Sequence, residues 1–350
     1  MQIRPFSIAG REIGESHSPY CIAEVGINHN GDLDTALRMI EVAREAGADA
    51  VKFQTFRAED FCGDPAQTFS YRSQGKMVTE PMLEMFQRYQ FDVGQWQAIK
   101  AHCERVGITF FSTPQNRPDL DLLLRIGVPA IKVGSDDFSN LPLLRDYAAE
   151  VLPLILSCGM SDLAEVHQAL EAVGWFEGRS VALLLCTSQY PTPPRDVHLR
   201  KLTTLQQAFP GLLVGFSDHT QGPLAASLAF ALGARVFEKH FTLDHDLPGP
   251  DHWFSEDPAG LAAWIAQIHE AASMVGSPYV RPTAGELENK REFQRVLVAA
   301  TDIRRGDPFT AANLGARRVA GGHGLPPSFQ VRLLGRPASR DIPAGTVIDL

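Results

Sequence analysis

The chain has 350 residues, 44% apolar and 21% charged, with a formal net charge of −9 and a pI near 5.7. These values suit a globular protein with a sizeable core, and the length allows about two domains, one of which can be a large α/β barrel. The acidic balance excludes the broad basic field that nucleic acid or an anionic membrane surface requires, so any anionic substrate must be met by a local cluster of cations.

Short β-branched or apolar runs at 20–23, 50–54, 109–112, 130–134, 152–157, 181–186, 213–217 and 235–240 are strand candidates. Helical patterns follow nearly every one, over 33–46, 94–106, 118–126, 141–149, 163–173, 199–209, 223–232 and 258–275. In 33–46 the apolar residues fall at 33, 36, 37, 40 and 43, the spacing of one helix face. Runs such as "PLILS" and "ARVFEKHF" are too apolar to alternate, which suits parallel strands covered on the outside by helices. The alternation predicts a (β/α)8 TIM barrel, with a doubly wound open sheet as the competing arrangement. Residues 57–93 break the rhythm and are expected to form an irregular, aromatic-rich insertion walling the substrate site.

After residue 278 the pattern changes: 279–292 is expected to be a linker and 293–350 a small β-rich domain. "ATDIRRGDPFT" and "SRDIPAGTVID" share Asp-Ile-x-x-Gly, with Asp302 and Asp341 39 residues apart. Each copy is expected to be strand, turn, strand, with Gly306 and Gly345 supplying the turns. The five cysteines, at 21, 62, 103, 158 and 186, form no Cys-x-x-Cys pair and indicate neither a disulfide framework nor a zinc knuckle. The absence of an apolar leader after Met1, and of any long apolar run, sets the expectation of a cytoplasmic protein with no membrane partner.

A barrel carries its chemistry beyond the C-terminal ends of its strands, and polar residues concentrate there. Glu24 ends the first strand, Lys52 interrupts the second, Thr113 follows the third and Lys132 and Ser135 belong to the fourth. Ser157, Tyr190, Ser217, His219 and His240 follow in the same way, and Glu238 is a further interior charge. Taken singly, a strand lysine snorkels, a strand-end serine caps a helix and a histidine is a satisfied core residue. Taken together, two lysines, strand-end hydroxyls and a histidine pair describe a phosphate pocket beside an open metal site.

The segments "IAEVGINHNGD", "GADAVKFQTF", "FFSTP", "IKVGS", "YPTP", "GFSDHT", "EKHFT" and "GPDH" resemble the sialic acid synthase family, in family order over nearly the whole chain. The last 58 residues are similar to that family's antifreeze-protein-like (SAF, β-clip) domain. The resemblance implies condensation of phosphoenolpyruvate with N-acetylmannosamine to N-acetylneuraminate and phosphate. A 2,4-diacetamido-6-deoxyhexose acceptor, giving legionaminic or pseudaminic acid, is the alternative. It implies that Lys52, Thr113, Lys132, Ser135, Ser157 and Ser217 hold phosphoenolpyruvate, with Glu24 as acid/base and Lys52 and Lys132 steadying the leaving phosphate. His219 and His240 would bind manganese or magnesium, and Tyr190 and Asp251 would contact the sugar. Arg318 would reach the N-acetyl group in the partner of a domain-swapped homodimer. The chain departs from the family pattern at Asp136, Cys158 and Ser188, and at Arg317-Arg318-Val319-Ala320, which leaves Arg317 as the alternative N-acyl reader. A Schiff-base aldolase and a non-catalytic sugar-binding barrel are the competing functions.

Overall fold

The computed structural model describes residues 4–321 and 323–349. The chain divides into two compact units, Met1–Gly276 and Ser277–Leu350.

The larger unit is built on eight strands: β1 Tyr20–Gly26, β2 Ala50–Thr55, β3 Thr109–Pro114, β4 Ile131–Val133, β5 Leu154–Ser157, β6 Val181–Cys186, β7 Leu213–Asp218 and β8 Val236–His240. They form one parallel sheet in the order β3-β2-β1-β8-β7-β6-β5-β4, and β3 lies against β4 to close the ring. The fold is the expected TIM barrel; the open sheet is ruled out by that closure. Eight helices cover it: α1 Leu33–Glu45, α2 Val93–Val106, α3 Arg117–Ile126, α4 Leu141–Ala149, α5 Leu163–Ala172, α6 Lys201–Ala208, α7 Leu224–Ala231 and α8 Pro258–Val275. All but α6 start where the sequence supplies a cap or a proline. Asp32 accepts from Thr35 N–H, Asp162 and Glu165 form a capping box, and Asp257 accepts from Gly260 N–H ahead of α8. β6 reads VALLLC and is buried at every position, because one face meets the barrel interior and the other the helices. Each such fully buried Leu or Val contributes ~1.5–3 kcal/mol relative to exposure.

Two features of the larger unit differ from the sequence expectation. An antiparallel hairpin, Phe6–Ile8 with Arg11–Ile13, precedes the barrel. The insertion is ordered: a short helix Ala58–Phe61, an antiparallel hairpin of Thr68–Ser73 and Lys76–Pro81, and a helix Met82–Tyr89. Its aromatic residues explain the order, since Phe56, Phe61, Tyr71, Phe86 and Tyr89 pack with Ile27 and Met85 into a core of their own. The hairpin tip is tied to the loop after β8, where Gly249 N–H donates to Ser73 Oγ at 3.0 Å and Gln74 Nε2 to the Asp246 carbonyl at 2.9 Å.

In the smaller unit the segment expected as a linker carries an exposed helix, Ala284–Phe293, opened by a Thr283–Glu286 capping box. Val296–Ala299 pairs antiparallel with Leu314–Arg317 over a core that includes Leu297, Ile303, Leu314, Ile342 and Ile348. The repeated segments form single bridges to one another instead of two strands each. Ile303 and Ile342 exchange N–H to C=O bonds of 2.9 and 2.8 Å. Asp302 accepts from Ala344 N–H at 2.7 Å, and Asp341 accepts from Arg305 N–H at 2.7 Å, so each copy caps the turn of the other. Gly306 and Gly345 take the turn positions with φ of +88° and +82°, a region that L side chains rarely adopt.

Candidate active site

Parallel strands aim alternate side chains into the barrel, and at the C-terminal rim of this one those side chains are charged. Lys52 of β2 and Lys132 of β4 are 3% and 2% exposed, and buried ammonium groups require partners. Lys52 Nζ lies 2.8 Å from Glu24 Oε2 and 3.8 Å from Glu238 Oε2, and donates to Thr113 Oγ1 at 3.0 Å. Lys132 Nζ lies 3.7 Å from Glu238 Oε1 and donates to Ser157 Oγ at 2.7 Å. Ser217 Oγ donates to Glu238 Oε1 at 3.1 Å. Glu238 is thus the anion shared by both lysines. The sequence showed it only as a charge interrupting an apolar strand and assigned it no role.

The two carboxyls are driven apart. Burial pushes Glu24 above the usual carboxylate range, with Lys52 opposing and Glu238 reinforcing the rise. Burial also disfavours ionised Glu238, but Lys132 and Lys52 outweigh it and hold that carboxyl low. Divergent neighbours of this kind assign one carboxyl to proton transfer and the other to fixed charge. Lys52 is raised because Glu238 and Glu24 overcome its burial, whereas burial leaves Lys132 lowered.

Beside this quartet, β7 and β8 deliver His219 and His240, with ring centroids 5.4 Å apart. His219 Nδ1 donates to the Thr187 carbonyl at 2.8 Å, which leaves Nε2 as the ring nitrogen able to take an ion in place of a proton; burial opposes the charged ring, but Cys186 and the Thr187 carbonyl outweigh it and raise the ring above its ordinary value. His240 Nδ1 is buried without a hydrogen-bond partner, 3.8 Å from Asp251 Oδ2, and burial followed by the His219 and lysine charges keeps its ring neutral. Two imidazoles, one with an orphaned ring nitrogen, fit an open divalent-ion site. Among the described residues no group of three His, Cys, Asp or Glu side chains is arranged for a metal, so further ligands would come from water or substrate. The Tyr190 ring lies tilted by 36° over His219, with centroids 4.2 Å apart. Asp251 is raised to about 6 by burial, against the pull of His219.

Glu24, Lys52, Thr113, Lys132, Ser135, Ser157, Tyr190, Ser217, His219, His240 and Asp251 all line one cavity of about 620 Å³. Ser135 Oγ accepts from Gly159 N–H at 3.0 Å, and a Cβ at Gly159 would lie 2.7 Å from that oxygen and 2.4 Å from Ser188 Oγ. The glycine keeps this hydroxyl-lined corner open. Arg318 belongs to the smaller unit, where it is exposed with its guanidinium 5.7 Å from the Phe293 ring. The aromatic insertion walls the cavity, as expected. Phe56, Phe61, Phe69, Phe86, Trp253 and Phe254 give the cavity an apolar side, supplied largely by the insertion.

The loops carrying these groups are pinned from behind. Asn28 Nδ2 donates to the Phe241 carbonyl at 2.9 Å and to Ser255 Oγ at 3.0 Å, and His252 meets Thr242 Oγ1 at 2.6 Å and Asn30 Oδ1 at 3.1 Å. The motifs "NHNGD" and "GPDH" thereby hold each other, and with them Asp251.

Residues 39–279 match the NeuB family and residues 294–350 match the SAF domain. N,N'-diacetyllegionaminic acid synthase of Legionella pneumophila is 36% identical over 339 residues, 96% of this chain and 94% of that protein. Human N-acetylneuraminate-9-phosphate synthase is 33% identical over 330 residues, 93% of this chain and 90% of that protein. Among solved structures, an N-acetylneuraminic acid synthetase from Leptospira borgpetersenii in complex with citrate superposes with a TM-score of 0.74 at 30% identity, covering 83% of this chain and 98% of that one.

Proposed function

The chain belongs to the NeuB family, and from that premise we propose that it condenses phosphoenolpyruvate with the open-chain aldehyde of an N-acetylated aldose, giving a nonulosonic acid and phosphate. The observation that carries this reading is the convergence of Lys52 and Lys132, with Thr113, Ser135, Ser157 and Ser217, beside the His219–His240 pair in one cavity.

Lys52 and Lys132 hold the phosphate and carboxylate of phosphoenolpyruvate, and the hydroxyls complete the shell. His219 and His240 would hold a divalent ion, manganese or magnesium, whose chemistry when bound is Lewis-acid polarisation of the aldehyde. The π pair of phosphoenolpyruvate leaves C2 and C3 to form the bond from C3 to the aldehyde carbon, and the aldehyde oxygen takes up the proton that Glu24 holds. Water adds to the electron-deficient C2 and gives its proton to Glu24, which balances that uptake. The tetrahedral C2 then breaks its bond to the phosphate oxygen. Phosphate leaves with the electron pair toward the two lysines and takes the proton of the C2 hydroxyl, which becomes the keto group.

For the acceptor, the apolar side made by Phe56, Phe61, Phe69, Phe86 and Trp253 supports a 2,4-diacetamido-6-deoxyhexose, whose methyl and second acetamido groups gain from such a wall. The Legionella relative's name agrees. N-acetylmannosamine, the acceptor that the family resemblance implies, is the second reading, and the name of the Leptospira enzyme favours it.

A phosphate-release assay over both acceptors, with and without Mn²⁺, tests the proposal. Release should require an acceptor, and ¹⁸O placed in the phosphoenolpyruvate bridge should leave with phosphate. No release with any N-acetylated aldose, or label retained in the keto acid, overturns it.

A further inference from the structure

The two imidazoles stand on strands whose adjacent residues form a second, outward-facing charge array. Asp218 and Lys239 are register partners on β7 and β8, each one residue away from a histidine of the cavity. Alternation turns them toward the helices, where they are 1% and 2% exposed. Lys239 Nζ lies 3.3 Å from Asp218 Oδ2 and 3.4 Å from Glu256 Oε1, and it donates to the Thr220 carbonyl. Asp218 Oδ1 accepts from Thr220 N–H at 2.8 Å and Thr220 Oγ1 at 2.7 Å, while Oδ2 accepts from Trp264 Nε1 of α8 at 3.0 Å. Glu256 Oε1 accepts from Gly222 N–H at 2.9 Å, and its own N–H donates to the His240 carbonyl at 2.9 Å.

These bonds converge on the peptides flanking His219 and on the carbonyl of His240. Two buried charges and a half-buried third outside the barrel wall are a costly way to stabilise a fold, since apolar groups of similar volume serve as well. They do fix two neighbouring strand ends in one relative position. We propose that the Asp218–Lys239–Glu256 array, with Thr220 and Trp264, is a positioning device that sets the spacing and aim of His219 and His240 for a divalent ion. The inference rests on the reading of those histidines as ligands. Lys239 touches neither substrate nor ion; it acts through the Thr220 peptide.

The test is Mn²⁺ binding to the free protein, by calorimetry and by the electron paramagnetic resonance signal of the bound ion, alongside turnover. Lys239→Met should weaken Mn²⁺ binding about 10–100-fold and alter the bound-ion spectrum. Its kcat at saturating Mn²⁺ should stay within a few-fold of wild type, and phosphoenolpyruvate affinity measured without metal should be unchanged. Thr220→Val and Trp264→Phe remove single donors without leaving a charge unpaired, so they report even where Lys239→Met does not fold; each should weaken Mn²⁺ binding roughly 3–10-fold. His219→Ala with His240→Ala is the control and should abolish binding. Histidine-dependent binding that is unaltered in Thr220→Val and Trp264→Phe, and in Lys239→Met if it folds, overturns the inference alone. Absence of histidine-dependent binding in the wild type overturns the ligand reading and the inference together.

Discussion

In the proposed reaction Lys132, paired with Glu238, serves both fold and chemistry. Removing only the lysine leaves Glu238 buried, with Lys52 at 3.8 Å as its remaining charged partner among the described residues, so Lys132→Met should cost about 3–5 kcal/mol in urea unfolding. Adding Glu238→Gln should restore most of that stability, while turnover stays down by on the order of 10²–10³-fold. A double variant that regains activity would return both residues to a purely structural role. His29 gives a second, independent signal. It is fully buried, its Nδ1 accepts from Gly31 N–H at 3.0 Å, and burial lowers it to about 3, while His252 falls to about 4. Both are neutral when folded but charge near 6.5 when unfolded, so the unfolded chain binds more protons below that value. Stability present above pH 6.5 is therefore lost as pH falls toward 4, at about 1.4 kcal/mol per pH unit for each ring. His29→Asn, which keeps an acceptor for Gly31, should reduce that slope by one ring's share in denaturation curves at pH 4.5–6.5. An unchanged slope would show that His29 titrates normally. At this scale most of the site was legible, because Glu24, Lys52, Lys132 and the histidines break apolar runs. Lys239 and Asp218 break the same runs, and nothing in a one-dimensional pattern says which of two neighbouring polar residues faces the cavity.

Among elements, the barrel strands and helices were readable because each is an apolar run or a period of 3.6 with its own cap. The expected helix over 258–275 is the observed Pro258–Val275, while β4 shrinks from 130–134 to Ile131–Val133. The insertion reads as irregular because its hairpin is exposed on most positions and its alternation of polar and apolar residues is confined to 68–72. Its order comes from contacts distant in sequence, such as Ser73 with Gly249 and Ile27 with Met85. That hairpin presents Phe69, 37% exposed, to the cavity. Phe69→Ala should leave stability and phosphoenolpyruvate KM unchanged. It should lower the kcat/KM preference for the 2,4-diacetamido-6-deoxyhexose over N-acetylmannosamine by about tenfold. Equal losses on both acceptors would remove the hairpin from acceptor choice.

For the whole molecule, no helix among the described residues is long and apolar enough to cross a membrane. The proposal that Arg318 serves the barrel of a second copy can be tested by complementation. Arg318→Ala and the His219→Ala/His240→Ala variant should each be nearly inactive alone. Mixed and re-equilibrated, they should recover about a quarter of the wild-type rate through heterodimers of a two-fold assembly. Recovery of nothing would confine Arg318 to its own subunit or to no role in turnover. The smaller unit carries a different lesson. Its repeated segments cap and pair with each other, so neither copy has a closed set of backbone bonds without its counterpart. Two free half-length chains of this kind would have to meet in solution, at a rate that falls with dilution. Joined by one covalent tether, the same encounter becomes a first-order event at an effective concentration in the millimolar range or above. The duplication has thus exchanged a bimolecular association for a folding step whose yield does not depend on how much protein the cell makes.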